Sequence, residues 1–147
     1  MFFIKIILLL FAFILELVYL KQLTVWILKT GWPKMILYLL TAIPLLIFEE
    51  QIDCQPWWCG KVLIPPTLGI LIIEVLVLAL LSKLFRTKQP WWPAAAYAIF
   101  GIFFELTIGG LRGVNNPVIL VLLIPWVALG YIFVSILPLS ILLRKKH

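Results

Sequence analysis

Apolar residues in this chain fall into long runs separated by short charged or turn-forming stretches. Residues 2–20 are apolar apart from Lys5 and Glu16, and a mixed stretch from Lys21 to Lys34 follows, with a Gly-Trp-Pro turn near its end. Met35 to Phe48 is apolar and opens into Glu49, Glu50, Gln51 and Asp53. Leu63 to Ser82 is interrupted only by Glu74, and Lys83, Arg86 and Lys88 come after it. Trp91 to Phe104 leads through Glu105 to Gly109, Gly110 and Arg112. From Gly113 to Leu143 there is no charge. A helix crossing the hydrocarbon of a bilayer needs about 20 apolar residues, so this last run holds one span and not two. The pattern predicts five helices, at roughly 2–20, 33–51, 63–82, 93–111 and 117–142.

The second run is the shortest, and Pro44 inside it is expected to kink it; an interfacial or re-entrant segment is the other reading of that run. The last run would be roughly 40 Å long as a helix at 1.5 Å per residue. It should tilt, or bend at Pro125 or Pro138.

Composition narrows the class. Of the 147 residues 65% are hydrophobic and 12% charged, and mean hydropathy is +1.19. Soluble domains run near 45–50% apolar and about 25% charged. A soluble enzyme, a nucleic-acid-binding domain, a disulfide mini-protein and a disordered tail are thereby excluded. The expected fold class is all-α: a polytopic integral membrane protein forming one helical domain, with the lipid bilayer as its first partner and no nucleic acid. Residues 2–20 read as a span and not as a cleaved leader, because Glu16 interrupts the run and no small-x-small site follows.

Charge sets the expected orientation. Lys21, Lys29, Lys34, Lys83, Arg86, Lys88, Arg144, Lys145 and Lys146 fall on one side of a five-span arrangement, and Lys5, Lys61 and Arg112 on the other. Basic loops stay cytoplasmic, so the N-terminus is expected outside and the C-terminus in the cytoplasm, in the cell membrane. The net charge of +6 then follows from lysines and arginines beside anionic headgroups. Trp26, Trp32, Trp57, Trp58, Trp91 and Trp92 fall in or beside loops, where interfacial belts form, whereas Trp126 lies inside the last run.

A charge at mid-bilayer costs several kcal/mol, so the acids are the candidate functional groups: Glu49, Glu50, Asp53, Glu74 and Glu105, with Arg112 as a basic partner. Glu49, Glu50 and Asp53 are expected to close a helix in water, the other reading being an outward-facing acidic pocket that binds a cation or exchanges protons. Glu74 and Glu105 have no route to water without a cavity or a partner. Glu16 is expected to snorkel toward the interface near Lys21. Gly101, Glu105 and Gly109 recur every four residues, along one helix face that a neighbouring helix can approach closely. Arg112, seven residues beyond Glu105, is expected on that same face, as its ion-pair partner or as part of a reactive site.

Cys54 and Cys59 form a candidate disulfide in an outer loop, which would pin Trp57 and Trp58; two free thiols or a redox-active pair are the alternatives. The single histidine is residue 147, so a His-ligated metal or haem is excluded, and no metal or cofactor is expected. Phosphate-loop, His-Glu-x-x-His and Gly-x-Ser-x-Gly motifs are absent from the sequence. Phe48-Glu49 and Phe104-Glu105 recur at outer helix ends and hint at a two-helix repeat.

The stretch from Phe48 through Trp57-Trp58 to Ile64-Pro65-Pro66 and Glu74 resembles lycopene-cyclase-type domains. These are small helical membrane proteins that use carboxylates to protonate a polyene. They carry a Pro-x-Glu-Glu motif at a helix start, which Pro65-Pro66 here lacks, and membership is not assigned. Three functional classes stay open. The first is a transport or permeation component handling protons or cations through intramembrane carboxylates, within a homo-oligomer or a larger membrane complex. The second is an intramembrane enzyme on a lipid or isoprenoid, and the third an assembly subunit of a membrane complex. The intramembrane acids place the first in front.

Overall fold

The computed structural model describes residues 2–53, 65–85, 89–109 and 111–144. Among them are five α-helices and no strand: α1 (Phe2–Leu28), α2 (Lys34–Asp53), α3 (Pro65–Leu84), α4 (Trp91–Thr107) and α5 (Pro117–Leu143).

Local chemistry fixes the helix ends. α1 runs on through Lys21, farther than the apolar run implies, and stops where Gly31 takes a φ of +77°, a conformation that costs glycine little. Pro33 then opens α2, its carbonyl accepting from the amides of Ile36 and Leu37. α4 begins after Pro90 and ends at Thr107, earlier than expected. There Ile108 leaves helical geometry at φ −123° while its N–H still reaches Phe104. α5 is capped by the side chain of Asn116, which accepts from the amides of Val118 and Ile119 at 3.0 and 3.4 Å, with Pro117 in the first turn.

Three prolines lie inside helices, Pro44 in α2 and Pro125 and Pro138 in α5, and both helices continue past them. Each lacks the N–H that would bond the carbonyl four residues earlier. The helix hydrogen bonds at those points are therefore incomplete.

The core is assembled on α5, which packs against each of the other four helices. Its buried residues run from Gly130 to Ile141, and its first three turns carry none. Leu9 of α1, Tyr38, Ala42 and Leu46 of α2, Leu71, Val75 and Leu78 of α3, and Ala94, Tyr97 and Ala98 of α4 converge on Tyr131, Phe133, Val134 and Leu139. Tyr38 donates its buried hydroxyl to the carbonyl of Val75 at 2.5 Å, which ties α2 to α3. α1 and α5 run side by side in the same direction, since Glu16 meets Leu137 and Thr24 meets Ser140. At the end of this pair Lys34 donates to the carbonyl of Arg144, and Arg144 donates to that of Lys21. Three basic residues from three helices thus share one end of the bundle.

α5 is long and apolar enough to cross a membrane.

Candidate functional site

Two glycines prepare the site. On α4, Gly101 is buried where a Cβ would overlap the ring of Tyr131 on α5, so only a glycine lets the two helices meet there. The Tyr131 ring lies edge-on to Tyr97, one turn back on α4, with centroids 5.2 Å apart. On α5, Gly130 leaves space that the carboxylate of Glu49 occupies: a Cβ there would stand 2.8 Å from Oε1. The small residues bring phenol rings and a carboxylate into the bundle that larger side chains would hold apart.

With its ring fixed, Tyr131 directs its hydroxyl at Glu74 on α3, donating to Oε1 over a long 3.4 Å. Glu74 is 6% exposed, halfway along its helix. Glu50 and Glu105 lie within electrostatic reach of it, and Glu49 acts on both Tyr97 and Tyr131. Carboxyl groups from α2, α3 and α4 thus lie within electrostatic reach of one another or of this pair of tyrosines, and Glu74 accepts the hydrogen bond of Tyr131. The Tyr97 hydroxyl is buried with no hydrogen-bond partner among the described residues.

The sequence expectations divide here. Glu74 and Glu105 are brought together as candidates, and Glu105 is half-buried with its carboxylate over Gly109. The expected seam on α4 exists at Gly101, whereas Gly109 makes room for Glu105 itself. Glu49 and Glu50 do not simply close a helix in water. Both are half-buried, and Glu49 lies against α5. Arg112 is not on the Glu105 face of α4, because that helix ends at Thr107. It sits exposed in the turn that follows, its amide bonded to Gly109. The Asp53 side chain, Cys54 and Cys59 lie outside the described residues.

Tyr97, Tyr131 and Glu16 went unrecognised as site residues. A tyrosine midway along an apolar run, away from any interfacial belt, was the available signal for the first two. Glu16 does not snorkel. It is 6% exposed and its Oε1 accepts the amide of Leu137 at 3.2 Å. The Phe-Glu repeat is not matched in packing, since Phe48 meets Phe133 and Phe104 meets Phe100.

Chemically, the Tyr131 hydroxyl and the Glu74 carboxyl that it meets can exchange a proton, with the other carboxyls acting on the pair electrostatically. Among the described residues no group of three His, Cys, Asp or Glu side chains is arranged to hold a metal ion. No protein-family model, curated protein or solved structure matches the chain, so the resemblance of residues 48–74 is not carried further.

Proposed function

We propose that this chain is a five-span integral membrane protein whose buried carboxyl cluster takes up and releases protons, as a small transport or permeation component of the cell membrane. Support for the membrane reading comes from the outward faces. Ile7, Phe11, Ile14 and Val18 on α1, Ile72 and Leu76 on α3, Ile99 and Phe103 on α4, and Val121 and Leu122 on α5 are each more than half exposed. Water-soluble monomers rarely expose apolar patches of that extent, and acyl chains cover them without cost. Trp26, Trp32, Trp91 and Trp92, all exposed, lie at helix ends in the manner of an interfacial belt. The basic end formed by Lys21, Lys34 and Arg144 reads as the cytoplasmic end. By alternation the N-terminus is then outside, with the acidic cluster between the membrane centre and the outer leaflet.

The observation that carries the function is Glu74, a buried acid at mid-helix bonded to Tyr131 and acted on by Glu50 and Glu105. An acid at that depth costs about 3 kcal/mol to insert, and a purely structural helix would do better without it. Protons fit this site better than metal cations, given the absence of a three-ligand cluster among the described residues. A proton needs only a file of exchanging groups, so five helices suffice without an open pore.

The test is proton flux in sealed proteoliposomes, driven by a potassium diffusion potential and read by an internal pH dye. Wild type is expected to acidify the lumen and Glu74→Gln to fall to the level of empty liposomes while remaining folded. Wild-type flux no faster than that of empty liposomes would overturn the reading.

A further inference from the structure

Glu16 belongs to none of the chemistry above, yet it is the most completely buried acid besides Glu74. One oxygen accepts the Leu137 amide, in the turn of α5 that Pro138 interrupts. The other, Oε2, is buried with no hydrogen-bond partner among the described residues. A carboxylate kept only to anchor a backbone amide would be served as well by a neutral amide side chain. The second oxygen, which anchors nothing among the described residues, is open to protonation.

A polar seam lies between Leu137 and the basic end, and it meets Glu16 only through the Leu137 peptide. Leu137 is held at its amide by Glu16, and its carbonyl accepts from Ser140 at 2.8 Å. Ser140 meets Thr24 of α1 at 2.6 Å, and Thr24 in turn reaches the carbonyl of Leu20 at 2.6 Å. These contacts number three, while the two hydroxyls have two hydrogens. One contact must always be without its own proton, so the pair reorients at little cost. The charged groups around the seam are Lys21 on α1, Lys34 on α2 and Arg144 on α5, all toward the basic end. The acids of α2, Glu49 and Glu50, lie toward its far end, and α5 has no acid.

On the other side the seam is closed by aromatic rings. Phe133 stands between Tyr131 and Leu137 along α5, and Phe13 stands one turn before Glu16 on α1. Phe13 packs edge-on against Phe133 at 6.3 Å, and Phe48 does so at 6.0 Å. The tyrosine and carboxyl cluster thus lies on one side of an apolar seal and Glu16 on the other.

We infer that Glu16 is a second proton-binding site, opening along the Thr24–Ser140 seam to the basic face and separated from the Glu74 cluster by Phe13, Phe48 and Phe133. In each exchange the carboxylic O–H bond breaks as an O–H bond to a solvent water entering from the basic end forms, and the hydronium formed leaves toward that end. The return step reverses this. The inference rests on the proton-handling reading, and the experiment separates the two.

Infrared difference spectra of the protein in oriented, sealed liposomes, after a pH jump on the basic-end side alone, read the carboxylic C=O band of Glu16 directly. Glu16→Gln keeps the oxygen that accepts from Leu137, so α5 stays anchored. It is expected to remove one band that follows basic-side pH. Thr24→Val is expected to keep the band and slow its appearance. Should Glu16→Gln fail to assemble, the Thr24→Val rate decides alone. A spectrum unchanged by Glu16→Gln, or a band in Thr24→Val that rises as fast as in wild type, would overturn the inference. Absent wild-type flux with the Glu16 band intact would instead overturn the transport reading while leaving Glu16 as an exchanging acid.

Discussion

The carboxylate of Glu49 on α2 lies against Gly130 on α5, its Oε1 2.8 Å from where a Cβ would stand. The atom in the way is the far end of a flexible side chain, so it can swing aside. Gly130→Ala is therefore expected to leave thermal stability nearly unchanged, because up to about 1 kcal/mol of gained helix propensity offsets the displacement. Proton flux should nonetheless fall, since Glu49 leaves the tyrosines. Calorimetry and liposome flux on the same preparation check both halves.

Gly101 gives the opposite expectation. A Cβ there meets the ring of Tyr131 from Cγ outward, and a buried ring cannot swing away. Gly101→Ala should cost about 1–3 kcal/mol as an overpacked core does. The midpoint would fall by roughly 2–4 °C per kcal/mol for a chain of this size. A thermal midpoint at or above wild type would show that α4 and α5 do not meet as closely as described.

Tyr131→Phe removes one hydroxyl and keeps the ring on Gly101. The expected loss of stability is about 1 kcal/mol, the net worth of one hydrogen bond. Flux should drop further than that figure suggests, because Glu74 loses the group it exchanges with. Parallel Glu74→Gln and Tyr131→Phe measurements, with the double variant no worse than Glu74→Gln alone, are the expected pattern.

Orientation can be read by labelling. In a background with Cys54→Ser and Cys59→Ser, Thr30→Cys and Asn115→Cys place single exposed thiols in the turns after α1 and before α5. An impermeant maleimide should reach Asn115→Cys from outside intact cells and Thr30→Cys only after permeabilisation. Labelling of both from one side would overturn the five-span arrangement.

The number and order of helices could be read because clusters of charge or Gly-Pro turns separate every apolar run. Their ends could be read less well. α1 passes Lys21 because Thr24 finds Ser140 on α5, a partner 116 positions away that no local pattern announces. α4 stops at Thr107 because the chain turns at Ile108, and with that Arg112 leaves the face where the four-residue spacing put it. Which residues face inward was hardest of all. A helix apolar on every side has no polar stripe to mark its outer face. Tyr97 and Tyr131 stand out as tyrosines midway along apolar runs, but only packing shows that they and Tyr38 face inward. Glu16 looked like a snorkelling acid because Lys21 is near in sequence, while its acceptor role depends on an amide 121 residues on.

The position of α5 as the common neighbour of the other four helices carries a consequence for biogenesis. During synthesis α1 and α3 are made before it, with Glu16 still lacking the Leu137 amide and Glu74 the Tyr131 hydroxyl. Both acids must wait for one later segment. Assembly is thereby timed by that segment's arrival, and an unfinished chain is marked by its two unaccompanied carboxyls.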